Sequence, residues 1–380
     1  MCNSDGRPIS SPEEQLVTTF GSRPPADLAA REDDTATRIV ALEIDRVVHE
    51  TEDAISLTFT VPEHLATQFS YEAGQFLTLE IPCSDEGSVA RCYSFSSSPV
   101  RHDQPTVTVK RIPNGLASQW LHENAIRGMR LNALAPSGMF GPQSWDCDFV
   151  LMAAGSGITP ILSIIETALL RHGNRMTLVY ANQDRESVIF AEQLAQLQSR
   201  FPDRLEVHHW YTSDSGLPTA AGLAATGVVV ADDCEVFLCG PPPFMNVAEE
   251  WLEGAGVTVR RTHREVFASF ESNPFRHVES PVTSGSEADS VTAEVEIDGV
   301  ATEFEWNADT KLLDRLLELG LDPPYVCREG TCGGCAYTLT EGTVTMLANE
   351  TLDDYELGHG VRLACQSVSA AEPIRAVFDR

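Results

Sequence analysis

The sequence predicts three folded parts: an antiparallel β-barrel, a parallel α/β domain, and a small β-rich domain built round grouped cysteines. Three observations predict this. Short alternating apolar runs separated by Gly and Pro fill Ile39 to Gly141, the pattern of strands with one buried face. From Asp148 the apolar runs become continuous and are followed by helical patterns, which is how a parallel sheet buried on both faces reads. Near the C-terminus Cys327, Cys332, Cys335 and Cys365 stand together, whereas Cys2, Cys83, Cys92, Cys147, Cys234 and Cys239 are scattered.

A chain of 380 residues is too long for one ordinary core and long enough for two or three. Residues 1–37 are rich in Ser, Pro, Asp and Glu without periodicity, and a disordered tail is expected there. The barrel is placed at 38–142, on the runs Ala54–Val61, Phe76–Ile81 and Thr106–Lys110. The α/β domain is placed at 143–270. Its strands are expected at Phe149–Ala154, Met176–Tyr180 and Val236–Cys239, and a helix over Ile161–Leu170. Residues 271–290, rich in Ser, Pro, Gly and Glu, suit a linker. The last part, 291–380, opens with Val291, Ala293, Val295 and Ile297 alternating with polar residues. Asp298-Gly299 supplies a hairpin turn, and Phe304 and Trp306 continue the return strand. Leu312, Leu313, Leu316 and Leu317 mark one face of a short helix. No internal repeat is visible.

The cysteines carry the most specific chemistry. Cys327, Cys332 and Cys335 form C-x4-C-x2-C, with Cys365 further on, the ligand spacing of a plant-type [2Fe-2S] cluster. Gly330, Gly333 and Gly334 suit a loop that must approach inorganic sulfur closely. Zinc ribbons more often use two short C-x-x-C pairs, and a ribbon or inert cysteines remain the competing explanations.

Gly155-Ser156-Gly157-Ile158-Thr159-Pro160 follows a buried strand and opens a helix, the setting of a phosphate-binding turn. A plain turn is the alternative. Pro160 fits a first helical turn, and Cys239-Gly240-Pro241 follows a later strand of the same sheet. Arg91-Cys92-Tyr93-Ser94 lies in the barrel. A guanidinium fork suits a pyrophosphate and a tyrosine suits a flat ring, although an ordinary strand would also read this way. Gly115-Leu116-Ala117-Ser118 offers a second phosphate cradle at a helix start.

On these residues the chain resembles the ferredoxin-NADP⁺ reductase superfamily, in the subgroup that carries a C-terminal ferredoxin. Arg91 to Ser94 matches its R-x-Y-S flavin motif and Gly115 to Ser118 its G-x-x-S motif. Gly155 to Pro160 and Cys239 to Pro241 match its nicotinamide motifs, and Glu265-Val266-Phe267 its closing E-x-F. The similarity runs from about Ile39 to the C-terminus. It is nearest to the reductases of 3-ketosteroid 9α-hydroxylases, with phenylacetyl-CoA epoxidase reductases as near relatives. The resemblance implies an FAD-binding barrel, a Rossmann-like NAD-binding domain and a β-grasp ferredoxin domain. It implies an NADH-oxidising enzyme that sends electrons through FAD and [2Fe-2S] to a terminal oxygenase, of Rieske type. Arg91 would bind the FAD pyrophosphate, Tyr93 would stack on the flavin and Ser94 would hydrogen-bond near its N5. Thr159 and Cys239 would flank the nicotinamide, and Phe267 would lie near the flavin. Where many relatives have Asn-Arg-Asp, this chain has Asn182-Gln183-Asp184, one cation fewer near the adenosine ribose. Asp184 would repel a 2′-phosphate, Arg185 being the single exception, so NADH is expected over NADPH.

A net charge of -30, from 56 acidic and 26 basic residues, argues against a nucleic-acid partner. No run of 18 apolar residues and no apolar leader region are present, so a cytoplasmic protein without a membrane span is expected, as a monomer. Thr292 to Arg380 holds 17 acidic and 6 basic residues, a difference of -11, which would steer a basic partner at low salt. The competing functions are the reductase of an aromatic or acyl-CoA oxygenase, and a redox carrier or sensor with no dedicated oxygenase.

Overall fold

The computed structural model describes residues 38–84, 87–101, 104–257, 261–267, 269, 273–275 and 290–378. The expected N-terminal tail and most of the expected linker lie outside the described residues.

The first part is an antiparallel sheet of β1 (Val40–Thr51), β2 (Ala54–Thr60), β3 (Phe76–Ser84), β4 (Gly87–Ser94), β5 (Thr106–Lys110) and β6 (Arg130–Ser137), with helix α1 (Leu116–Asn124) before β6. The strand order is β4-β3-β6-β1-β2-β5. Just past β4, Phe95 bridges Val107 of β5, so the two ends of the sheet meet and it curls on itself. The alternation in the sequence explains the inside: Leu42, Ile44, Leu57, Phe59, Leu77, Leu79, Val107, Val109 and Leu131 fill one core. Short β-branched and aromatic runs favour strands because their side chains pack on a pleated, half-buried face.

The second part is a parallel sheet of β7 (Phe149–Ala154), β8 (Met176–Asn182), β9 (Leu205–Tyr211), β10 (Glu235–Cys239) and β11 (Thr262–Glu265). Helices α2 (Ile158–Arg171), α3 (Ala191–Arg200), α4 (Thr212–Ser215), α5 (Ala220–Ala224) and α6 (Pro242–Gly254) connect them. The order β11-β10-β7-β8-β9 has its topological switch between β7 and β10, where crevices for ligands form outside the carboxyl ends of strands. Two cores, one on each face, explain the continuous apolar strands. One gathers Leu151, Ile161, Ile165, Leu178 and Phe237; the other gathers Val150, Met152, Val236, Leu238 and Met245.

Phe140 lies before residue 143, yet its ring packs edge-on at 5.7 Å against Phe237 of β10, in the core of the parallel sheet. The crossing chain is pinned there by Glu235. This carboxylate accepts from the Gln143 and Ser144 backbone N–H groups (3.3 and 3.2 Å), from the Cys147 thiol and from His263 at 3.0 Å. Burial opposes the charge on Glu235, but these bonds outweigh it and hold its pKa below the ordinary value.

The third part is a mixed sheet of order β13-β12-β18-β14-β16 with a separate β15–β17 pair. Its elements are β12 (Ser290–Ile297), β13 (Val300–Asn307), α7 (Leu312–Glu318), β14 (Ala336–Glu341), β15 (Val344–Met346), α8 (Asp354–Gly358), β16 (Val361–Leu363), β17 (Ser367–Ser369) and β18 (Ile374–Phe378). The expected hairpin is present: Asp298 (φ 51°) and Gly299 (φ 77°) are both left-handed, as a two-residue primed turn requires. First and last strands pair in parallel, and α7 packs Leu312, Leu313 and Leu316 against Trp306 and Phe378. This is the β-grasp arrangement.

The parts touch one another. Phe76, Ala90 and Leu134 of the curled sheet, Phe275 of the connecting chain and Val326 before the cysteine loop form one buried cluster. Asn273 donates to the Ser88 carbonyl at 3.0 Å, so this residue of the expected linker is docked on β4. Arg38 stacks on Tyr325 at 3.4 Å, donates to the Tyr325 carbonyl and pairs with Asp322 at 3.7 Å.

Candidate functional site

Strand β4 organises the first site. Alternation puts Cys92 and Ser94 on one face, where both line a cavity of about 410 Å³. Tyr93 packs on the other face, against the core of the curled sheet. The Arg91 guanidinium donates to the Ala90 carbonyl at 2.6 Å and, among the described residues, meets no carboxylate. An unneutralised cation on a strand edge fits an anionic pyrophosphate. Gly115 caps α1; a Cβ there would sit 2.7 Å from Ser118 Oγ. That hydroxyl accepts from the Ile112 N–H (3.1 Å) and donates to the Gly115 carbonyl (3.3 Å), so it shapes the cradle.

The second site lies at the switch point. Gly155 has φ +54° and Gly157 stands so close to β10 that a Cβ would meet the Cys239 carbonyl oxygen at 2.0 Å. Only hydrogen fits. The Gly155–Gly157 turn thus abuts the Cys239-Gly240-Pro241 exit, bringing together the residues the sequence singled out. Thr159 Oγ1 donates to the Ser156 carbonyl at 3.1 Å, and Pro160 lies in the first turn of α2. Cys239 is buried, and burial with the nearby Glu265 carboxylate pushes its thiol well up.

The third site is the cysteine loop. The Cys327 thiol touches those of Cys332 and Cys365, and Cys365 touches Cys335. Backbone N–H groups of Glu329, Gly334 and Cys365 donate to the sulfurs of Cys327, Cys332 and Cys335 at 3.3–3.4 Å. Amides aimed at sulfur stabilise thiolate charge, and hydrogen bonds from Cys332 and then Cys365 pull the Cys327 thiol down. Gly330 and Gly333 adopt positive φ (84° and 69°). Among the described residues no three His, Cys, Asp or Glu side chains surround one single-ion position; a two-iron cluster asks for pairs of thiolates instead. The donor set and the close-wrapped loop fit that cluster.

The 410 Å³ cavity joins the first site to the cysteine loop, since Ser94 of β4 and Thr331 and Cys332 of the loop line it together with Glu265 at the end of β11 and Phe267 just after it. Phe267 is 48% exposed at its wall. Two residues carried no assigned role in the sequence. Glu265 has a buried Oε2 without a hydrogen-bond partner, and burial raises its pKa to about 8; the E-x-F spacing was the available signal. Lys110 of β5 brings its ammonium within 3.8 Å of where a Cβ on Gly155 would stand and pairs with Asp53 at 3.4 Å. Its sequence neighbours gave no hint of that.

A pyrophosphate cradle, a nucleotide-binding turn at the switch point and a close-wrapped thiolate loop in one chain define an electron-transfer reductase, and known proteins say which kind. Residues 41–141 match the oxidoreductase FAD-binding domain, 151–250 the oxidoreductase NAD-binding domain and 295–370 the 2Fe-2S iron-sulfur cluster binding domain. The chain is 47% identical over 90% of its length, and 98% of the relative's, to the 3-ketosteroid-9-alpha-monooxygenase ferredoxin reductase component of Mycolicibacterium smegmatis. It is 45% identical to that of Rhodococcus rhodochrous, over 90% and 97%. A component of the Escherichia coli 1,2-phenylacetyl-CoA epoxidase is 34% identical, over 90% and 98%. Among solved structures, phthalate dioxygenase reductase shares the fold (TM-score 0.53, 23% identity, 90% of this chain and 98% of that one). Full-length CYP116B46 of Tepidiphilus thermophilus is also similar (TM-score 0.59, 25% identity) over 89% of this chain, which spans 42% of that protein. The chain belongs to the family of 3-ketosteroid-9-alpha-monooxygenase ferredoxin reductase components. Its cofactors are FAD, NADH and a [2Fe-2S] cluster.

Proposed function

We propose that this reductase delivers electrons from NADH to the terminal oxygenase of a 3-ketosteroid 9α-hydroxylase, of Rieske type, in cytoplasmic steroid degradation. It works as a monomer. The observation that carries this is the cavity shared by Phe267, Ser94 of the flavin site and Cys332 of the cysteine loop, in a chain 45–48% identical to steroid-oxygenase reductases. When bound, the flavin supplies the exchange between two-electron hydride chemistry and the one-electron chemistry of the cluster.

The chain's own residues bind, orient and exclude. Arg91 and the Gly115–Ser118 turn hold the FAD pyrophosphate, Tyr93 packs on the flavin ring and Ser94 presents its hydroxyl at the reactive edge. Gly155, Gly157, Thr159 and Pro160 seat the nicotinamide nucleotide at the switch point. Cys239, Gly240, Pro241 and Phe267 border its nicotinamide end. Cys327, Cys332, Cys335 and Cys365 ligate the irons. No described helix is long and apolar enough to cross a membrane.

Reconstitution tests the partner. With a 3-ketosteroid 9α-hydroxylase terminal oxygenase, NADH consumption should match hydroxylated product. With the phenylacetyl-CoA epoxidase components, coupling should be much poorer. Equal or better coupling with the latter would refute the steroid assignment.

A further inference from the structure

We propose that Asp214 is a positioning residue that withholds Arg185 from the 2′-phosphate of NADPH, and so sets the selection of NADH. The inference rests on the nicotinamide site assigned above. In a parallel sheet with its switch between β7 and β10, a dinucleotide seated on the Gly155–Gly157 turn extends its adenosine half across the exit of the second strand. Here that exit is Asn182 to Ser187, at the end of β8. Asp184 is fixed there: its carboxylate accepts from the Ser187 N–H at 2.9 Å, and its own N–H donates to Ser187 Oγ at 3.1 Å.

Arg185 is the cation next to it, and it is already engaged. Its Nη1 donates to Asp214 Oδ2 at 3.1 Å, and its guanidinium lies over the Tyr211 ring at 4.5 Å. Tyr211 in turn stacks on His209 at 5.7 Å with an interplanar angle of 6°. The turn that carries Asp214 is tied to the strand exit, because the Ser213 N–H and Thr212 Oγ1 both donate to the Gln183 carbonyl (2.9 and 3.4 Å). Ser213 Oγ donates to Asp214 Oδ1 at 3.1 Å. These contacts together hold one arginine on the wall of the adenosine site, away from a phosphate and with its charge matched.

A 2′-phosphate entering there would meet two carboxylates, Asp184 and Asp214, and a guanidinium already paired. A ribose hydroxyl suffers neither penalty. Exposed pairs are individually weak, whereas a charge-assisted contact from a freed arginine to phosphate is stronger. Removing the Asp214 charge should therefore act through Arg185 and not merely by lowering repulsion.

The test compares wild type, Asp214→Asn, Arg185→Ala and the double variant, with NADH and NADPH as substrates and 5′-ADP and 2′,5′-ADP as inhibitors. Asp214→Asn should raise kcat/KM for NADPH on the order of tenfold, through KM with kcat little changed, and leave NADH within about twofold. It should tighten 2′,5′-ADP and not 5′-ADP. The double variant should lose the gain. With NADH oxidation intact, an unchanged 2′,5′-ADP inhibition in Asp214→Asn, or a gain that survives Arg185→Ala, would overturn the proposal alone. A wild-type protein that neither oxidises NADH nor binds 5′-ADP would remove the nicotinamide assignment and this proposal with it.

Discussion

Arg91 and Cys92 are neighbours with opposite surroundings. The Arg91 side chain carries a cation that no described carboxylate neutralises, whereas Cys92 is turned to the cavity, 3.2 Å from Thr78 Oγ1. Arg91→Ala should therefore lose FAD far more readily than Cys92→Ala, by roughly 1.5–3 kcal/mol of binding; equal flavin occupancy after dialysis would contradict the assignment. Glu265 makes a prediction in pH. Burial lifts its pKa from 4.5 to about 8, so across that window the folded chain holds a proton that the unfolded chain releases. Stability contributed this way is greatest below the unfolded pKa and falls as pH rises towards 8. Glu356, raised to about 7 by burial first, adds in the same direction. Thermal midpoints of Glu265→Gln should fall less steeply between about pH 5 and 8 than those of wild type; an identical slope would mean that Glu265 is not buried as described. The cysteine motif stands out in the sequence because the C-x4-C-x2-C spacing of Cys327, Cys332 and Cys335 is local, with Cys365 further on. Lys110 and Asp214 did not stand out, and Glu265 did so only through its E-x-F spacing, because their contacts are made by segments that meet only in the fold.

Among the elements, the strands with clear alternation or continuous apolar runs were legible, and Phe149–Ala154 falls where the sequence placed it. The boundary at 142 is less simple, since Phe140 belongs to the barrel segment by sequence and to the parallel-sheet core by packing. One aromatic ring before a boundary has no periodicity to reveal which core it joins. The connecting chain reads as polar linker, yet Phe275 is buried against Phe76 and Val326; a single apolar residue among Ser and Pro gives too little signal. The turns before α2 and within the cysteine loop can be tested by adding one methyl. Gly157→Ala would drive a Cβ to 2.0 Å from a backbone oxygen, a clash costing at least ~1–3 kcal/mol, and NADH oxidation should be lost. Gly334→Ala meets Ser137 Oγ at 2.7 Å and Val326 Cγ2 at 3.0 Å, across the contact between cluster loop and curled sheet. It should slow cytochrome c reduction, which draws on the cluster, while ferricyanide reduction at the flavin stays near normal. An unchanged cytochrome c rate would show that this contact does not set electron transfer.

At the scale of the whole molecule, Cys332, Ser94 and Glu265 open on one cavity because the cysteine loop docks on β4. The acidic excess of the last domain, 17 against 6 from Thr292 to Arg380, should make coupling to the oxygenase fall with ionic strength. A salt-independent rate would leave that acidity as mere composition. In the proposed relay, electrons leave through the cluster. The most direct test of this is oxygenase-coupled turnover by Cys335→Ser in the full chain, with ferricyanide reduction measured on the same sample. Loss of one thiolate ligand should abolish product formation while NADH-dependent ferricyanide reduction persists, since the flavin and nicotinamide sites lie in the other two domains. Product formation at a near-normal rate would place the exit at the flavin and contradict the relay.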